Sequence, residues 1–510
     1  MYSSTFTGKL YQTTSKYKNK YAFMFFRQGQ VETKLSFSDL DIDTNKLANY
    51  LFYQYDVKKN DRVLLYLPKS IIFVNIYFAI QKIGAIAVPL NPEFKMLELT
   101  YFVNNSDPKL IVTGLEQEHI MKSINSNAQT LSVDTNISYQ GLQFFQNSSD
   151  SFMPVQLGMD DPALIIYTSG TTGKPKGAVL THRNLVSNAE NIIQVWDITK
   201  QDVMCHVLPL FHAHGLCFAL HAPFLAGATI ILLDRFQPES TIELLSNKEK
   251  YRCSMFMAVP TIYQKLLEYL ETDDTQHNFE HIRLMTSGSA PLLPKDFKRI
   301  EAAFGHEPVE REGMTETNLN FTNPVHGTKK PGSIGMPIPE LEVRIVDPET
   351  LNDVEQDQEG ELWLRGPNIS PGYWRDPEET DKAFYNGWFR TGDLGSVDKE
   401  GYYYLSGRLK DIIISGGENI SPKEVEDVIN QYPGVLESAV LGVPDEKFGE
   451  RVVAVVVKRD DREISIEEMQ NYCRKQIHKW KCPKEFLYVE NLPKNIMGKV
   501  LKEELKESFL

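Results

Sequence analysis

The chain has 510 residues, 42% hydrophobic and 24% charged, an ordinary globular composition but more than one hydrophobic core usually serves, so two or more domains are expected. A formal net charge of −14 argues against a nucleic-acid surface, while a local basic pocket for a small polyanion stays open. Cys205, Cys217, Cys253, Cys473 and Cys482 show no CxxC pair or metal spacing, which fits buried thiols in a reducing compartment, the cytoplasm.

From Met1 to Lys20 the sequence is polar and lacks an apolar h-region, so no secretory signal is expected. Apolar strand, turn and amphipathic helix then alternate. Residues 62–67 read as a strand, Ile71–Ile83 as its covering helix, 85–90 as the next strand and 110–113 as a later one. Units of this size build parallel sheets with helices on their faces.

After the apolar run 163–166 comes Tyr167-Thr168-Ser169-Gly170-Thr171-Thr172-Gly173-Lys174-Pro175-Lys176-Gly177. Small residues let backbone N–H groups converge on an anion, and hydroxyls and ammoniums add donors, so this stretch suits a polyphosphate. Its spacing is not that of the usual nucleotide loop, because proline follows the Gly-Lys pair.

Strands are expected again at 203–207, 254–257 and 282–286, each followed by helix-like sequence. Between them, Pro209-Leu210-Phe211-His212-Ala213-His214-Gly215 sets two imidazoles beside a glycine. No third ligand has matching spacing, so metal is disfavoured and His212 is expected to contact substrate or gate its entry. The apolar run 216–233 is broken by His221, Pro223 and Gly227 into a short helix and a strand, so stable membrane insertion is not expected. In Arg311-Glu312-Gly313-Met314-Thr315-Glu316, a Thr-Glu pair at the mouth of a sheet can hold Mg²⁺ against phosphate.

From Gly332 the texture changes to alternating strands between Gly, Pro and Asp turns, as in 341–346, 360–365 and 401–405; a small twisted antiparallel sheet or barrel is expected. Phe389-Arg390-Thr391-Gly392-Asp393 offers a carboxylate that could bind ribose hydroxyls, and Arg408 could join it. A break follows at 407–411. Beyond it a helix over Pro422–Asn430, strands at 435–441 and 451–458, a helix over 466–479 and a strand at 486–489 give a compact α+β domain. Ser415-Gly416-Gly417-Glu418-Asn419 is a tight turn, and Lys499 lies near the chain end.

In this order and over nearly the whole chain, segments 167–177, 209–215, 313–316, 389–393, 407–411 and 493–499 resemble the adenylate-forming superfamily of acyl-CoA synthetases, luciferases and peptide-synthetase adenylation domains. The resemblance implies an α/β fold. Residues 1–407 would form a large N-terminal domain of two α/β sheet subdomains plus a small β-barrel-like subdomain, and 408–510 a smaller mobile α+β domain. It also implies an ATP- and Mg²⁺-dependent enzyme that joins a small carboxylic acid to coenzyme A through an acyl-adenylate; monomer and homodimer both stay open. By the same resemblance, Thr168, Ser169, Thr171, Thr172 and Lys174, with Gly170 and Gly173 between them, hold the β- and γ-phosphates. Glu316 binds Mg²⁺, Thr315 approaches the α-phosphate, Asp393 and Arg408 hold the ribose, and Ser289-Ala290-Pro291 flank adenine. Lys499 bridges carboxylate and α-phosphate in the first step. The small domain then swivels at Lys410, withdrawing Lys499 and bringing the turn around Gly417 toward the thiol.

The segment 310–318, with 211–215 and Arg252 ahead of Val259-Pro260, is similar to malonyl-CoA synthetases, in which arginines matching Arg252 and Arg311 grip the second carboxylate of a short dicarboxylic acid. Glu312 departs from the family pattern: a tyrosine usually stands there and stacks on adenine. Rival readings keep the chemistry but change the acid to a medium-chain, fatty or aromatic one, or load a carrier-protein thiol. A nucleotide-sensing protein without turnover is the non-enzymatic rival.

Overall fold

The computed structural model describes residues 4–124, 126–168, 174–459, 464–495 and 498–508. Two large sheets carry the N-terminal part. The six-stranded one runs, in spatial order, Gln129–Val133, Leu110–Gly114, Arg62–Tyr66, Ile86–Pro89, Pro162–Thr168 and Lys176–Thr181, parallel except for the last pair. The nine-stranded one runs Met336–Pro337, Asn318–Thr322, Val309–Met314, Leu284–Ser287, Met255–Ala258, Val203–His206, Thr229–Leu233, Tyr21–Arg27 and Gln30–Ser36. It is parallel in the middle and antiparallel at both edges.

Helix Ile71–Ile83 shares a core with side chains of both sheets, such as Val63 and Leu65 on one side and Phe23 and Ile230 on the other. All thirteen of its residues are buried, which is why its sequence is apolar nearly all round. Ser70 Oγ caps its start by accepting from Phe73 N, and Gly84 at φ +76° ends it. Each fully buried Ile, Phe or Val there contributes roughly 1.5–3 kcal/mol, so a charge at Ile76 would part the layers.

The apolar run 216–233 packs mostly into this core, while Ile231 and Leu233 of its strand face a second core with Phe256 and Tyr263. It comprises a π-helix His214–His221, a helix Ala222–Ala226, a turn at Gly227 and the strand Thr229–Leu233. Among the described residues no helix is long and apolar enough to cross a membrane.

The expected small sheet is antiparallel, built from Glu342–Val346, Gly360–Arg365, Trp388–Val397 and Phe384–Tyr385, with Tyr403–Arg408 also pairing Trp388–Val397. The C-terminal part has its own five-stranded sheet, Glu418–Ile420, Ile413–Ser415, Gly449–Lys458, Val435–Asp445 and Glu485–Val489. Its separate core gathers Val425, Ile429, Val440, Val456 and Met469 under helices Pro422–Asn430 and Ile466–Gln476. Ser465 Oγ caps the second helix at Glu468 N (3.1 Å). That helix stops at Gln476 instead of 479, because Ile477 turns extended and packs on the core.

Candidate active site

In parallel sheets ligands gather outside the carboxyl ends of the strands. Here those ends deliver Thr168, the 209–215 turn after Val203–His206, Gly288 and Ser289 after Leu284–Ser287, and Thr315 and Glu316 after Val309–Met314.

Gly215 closes its turn because a side chain there would start 1.9 Å from the Pro209 carbonyl oxygen. The chain then winds as a π-helix, a rare form that recurs at functional sites. This brings His214 Nδ1 to 3.2 Å from Ser289 Oγ and sets the Phe218 ring 5.0 Å from the Arg311 guanidinium. Arg311 is only 4% exposed, and its Nε and Nη2, like His214 Nε2, have no hydrogen-bond partner among the described residues. Gly288 makes room for it: a side chain there would start within 2.8 Å of the guanidinium. Burial lowers the Arg311 pKa to about 9, with Glu312 and Tyr263 opposing, so it remains a cation at neutral pH. Burial, reinforced by Arg311, holds His214 well below its usual value and keeps it neutral. His212, half-buried beside Phe211, is lowered to about 4 by burial and is neutral too. A buried cation with idle donors is costly until an anion fills the gap.

Arg252 does not join this group. It is exposed, at φ +56°, just ahead of the strand Met255–Ala258. It therefore lies at the amino end of a parallel strand, opposite the crevice, and the expectation that it shares the grip with Arg311 is corrected.

Glu316, 8% exposed, accepts at Oε1 from Tyr373 OH (3.0 Å) and Thr168 Oγ1 (3.4 Å). This carboxylate and its two hydroxyls are a hard oxygen set that fits Mg²⁺, an ion that keeps several waters and shares phosphate oxygens. Among the described residues no cluster of three His, Cys, Asp or Glu forms a ready-made protein cage. Thr315 is half-buried in the same turn. Tyr373 was not anticipated; its signal was the turn Gly372-Tyr373-Trp374, which Ser370 ties to the Glu316 carbonyl oxygen through a 2.7 Å backbone bond. Ser169, Gly170, Thr171, Thr172 and Gly173 lie outside the described residues. Lys174 is exposed beside them, whereas Lys176 is occupied by an ion pair with Glu379.

Asp393 and Arg408 face each other on adjacent antiparallel strands, Arg408 Nε 2.7 Å from Asp393 Oδ1. Burial raises the Asp393 pKa, while Arg408 and then Lys499 oppose the rise. Lys499 sits at the open mouth of the crevice, its backbone N–H donating to Asn495 Oδ1 (3.0 Å). The surrounding walls lower its pKa, Arg408 adds to the effect, and Asp393 opposes it. Glu312 is half-buried, accepts from Asn320 Nδ2 at 3.1 Å, and has its pKa raised to about 7 by burial and then by Asp393. Ser289 holds a left-handed φ of +69°, followed by half-buried Ala290 and exposed Pro291. Lys410 is exposed in the turn Leu409–Asp411. Gly416 and Gly417, at φ +65° and +87°, form the tip of an exposed hairpin, as such two-residue turns require.

The crevice thus combines a hard-cation carboxylate, a carboxylate–arginine pair, a lysine from the C-terminal part and a buried arginine ready for an anion. This is the equipment of an enzyme that activates a carboxylic acid with a nucleotide. Residues 10–374 match the AMP-binding enzyme family and 424–499 match the AMP-binding enzyme C-terminal domain. The chain belongs to that family, and it is an acid–thiol ligase that uses ATP, Mg²⁺ and coenzyme A. It is 36% identical over 481 residues to the mitochondrial malonate–CoA ligase ACSF3 of Bos taurus, covering 88% of this chain and 81% of that one. It is 34% identical to the oxalate–CoA ligase of Arabidopsis thaliana, covering 100% and 99%. ATP-bound MatB from Rhodopseudomonas palustris superposes with a TM-score of 0.93 at 36% identity, covering 99% of both chains; the apo form of that protein gives 0.80.

Proposed function

We propose that this chain ligates malonate or methylmalonate to coenzyme A. The carrying observation is Arg311, a buried guanidinium with two nitrogens lacking partners, roofed by Phe218 and flanked by Gly288 and His214. A second carboxylate would satisfy those donors, whereas an aliphatic chain would leave a buried charge unpaired.

Thiol attack on a free carboxylate would expel oxide, so the acid must first gain a leaving group. A carboxylate oxygen attacks the α-phosphorus of ATP, pyrophosphate departs, and the acyl-adenylate forms. The thiol of coenzyme A then attacks the acyl carbon, and AMP departs with the C–O electron pair. The first step joins two anions, so cations must stand where negative charge gathers. In this reading Lys499 neutralises the carboxylate and α-phosphate, Arg408 and Asp393 hold the ribose, Thr315 approaches the α-phosphate, and Ser289-Ala290-Pro291 flank the base. Mg²⁺, when held by Glu316 with Thr168 and Tyr373 nearby, screens the phosphates. In this reading the small domain begins after Arg408, because a cut at the expected 407/408 would split strand Tyr403–Arg408 and part Arg408 from its partner Asp393. Lys410 is then the hinge by which Lys499 leaves and the Gly417 hairpin approaches the thiol. A cytoplasmic setting is supported by five free cysteines, all buried; sedimentation would separate monomer from homodimer.

Pyrophosphate release measured over oxalate, malonate, methylmalonate, succinate, acetate, hexanoate, palmitate and benzoate tests the substrate. Malonate or methylmalonate should give the highest kcat/KM. Preference for hexanoate, palmitate or benzoate would overturn the assignment, and preference for oxalate would keep the dicarboxylate site but change its length.

A further inference from the structure

A lysine of the N-terminal part reaches across to the C-terminal part. Lys295, in the first turn of helix Pro294–Phe304, donates from Nζ to the carbonyl oxygens of Val435 (3.1 Å) and Leu436 (2.7 Å). These acceptors are available for a local reason. Strand Val435–Asp445 pairs Val435 with Lys458 and Glu437 with Val457, so Leu436 bulges out of the ladder. The next residue, Glu437, forms a 2.6 Å ion pair with Lys494, and Lys494 bridges to Val500, closing the turn that carries Lys499. On the other side of that turn Gly498 lies against Thr261, where a side chain at 498 would start 2.7 Å from the threonine methyl.

We infer that Lys295 is a positioning residue for adenylate formation: by gripping the bulge at Leu436 it holds the small domain where Glu437 and Lys494 set the Lys499 turn over the crevice. The inference rests on the proposed two-step reaction with a hinge at Lys410. Lys295 touches no substrate and acts by favouring one of two domain placements, so it should affect only the step that needs that placement.

The test separates the half-reactions in the full chain. Lys295→Met should slow acid-dependent ATP–pyrophosphate exchange about tenfold, the scale of losing charge-assisted hydrogen bonds from one of two states. Thioester formation from preformed acyl-adenylate and coenzyme A should be unchanged or faster, which also reports an intact fold. Lys295→Arg, which can donate to both carbonyls, should restore exchange. Tryptic cleavage at the exposed Lys410 turn should quicken several-fold in Lys295→Met. Equal losses in both half-reactions, or no loss of exchange, would overturn the inference. If the wild-type chain exchanged pyrophosphate with no acid at all, the proposed reaction would fail instead; cleavage would then decide the latch, and an unchanged rate would overturn it.

Discussion

Arg408 Nε lies 2.7 Å from Asp393 Oδ1 across two antiparallel strands, and Lys499 from the C-terminal part is within electrostatic reach of both. The pair therefore meets that lysine at the last strand before the Leu409–Asp411 turn, so under the proposed reaction nucleotide contact and domain placement would converge at one point. Lys499→Ala should reduce adenylate formation ~10²–10³-fold, the scale of removing one preorganised charge from a transition state. Thioester formation from preformed adenylate should be spared. Rapid-quench assays of the two half-reactions check this, and equal losses would remove Lys499 from its assigned step.

Arg311→Met keeps the volume of the pocket and removes its charge. The kcat/KM for malonate should drop ~10²-fold or more, as expected when a buried carboxylate loses its bidentate partner. Butyrate, a poor substrate of the wild-type chain under this reading, should lose little or improve. The apoprotein should also melt higher, because an unpaired buried cation has been replaced by an apolar side chain. Parallel losses on both acids would make Arg311 structural.

Legibility in the sequence followed the range of the forces involved. Helix Ile71–Ile83 could be read to the residue because Ser70 and Gly84 punctuate it locally. The hairpin Tyr21–Arg27 and Gln30–Ser36 was not read as part of the main sheet, since its parallel partner Thr229–Leu233 lies far along the chain. The π-helix at His214 escaped because eight residues give no distinctive period. Arg252 and Arg311 look alike in sequence. Only strand direction separates them, leaving one at the amino end of Met255–Ala258 and the other buried beside Phe218. Tyr373 reaches Glu316 through a loop of the distant small sheet, a non-local approach that no spacing encodes.

Tyr373→Phe removes the hydroxyl that orients Glu316 without altering ring packing. The Mg²⁺ concentration for half-maximal activity should rise about tenfold, in line with outer-sphere partners of metal-binding groups. Glu316→Gln should raise it further and lower kcat. Magnesium titrations at saturating ATP read this directly; an unchanged half-saturation in Tyr373→Phe would assign its hydroxyl to another role.

Glu312 stands where the family resemblance expects an aromatic ring against adenine. Glu312→Tyr should therefore lower the KM for ATP about 3- to 10-fold, a conservative share of what base–aromatic stacking contributes. Initial-rate measurements at saturating malonate check it. An unchanged KM would mean that the base does not pass over this position.

The same carboxyl group should make stability fall with pH. Burial, then Asp393, raises the Glu312 pKa from the usual carboxylate value near 4.5 to about 7. Between those values the folded chain binds the proton more tightly than the unfolded chain, so this contribution is complete below pH 4.5. It declines as pH rises and is gone above pH 7. Glu312→Gln keeps the neutral shape at every pH and can still meet Asn320. It should match the wild-type chain closely at pH 4 and exceed it by on the order of 1–3 kcal/mol at pH 8. Glu310, also raised to about 7 by burial, is present in both proteins and cancels from the comparison. Urea denaturation at the two pH values provides the measurement. A variant weaker than wild type at pH 8 would show that the ionised carboxylate is stabilised in the fold, by Arg408 or Arg311, more than its burial costs.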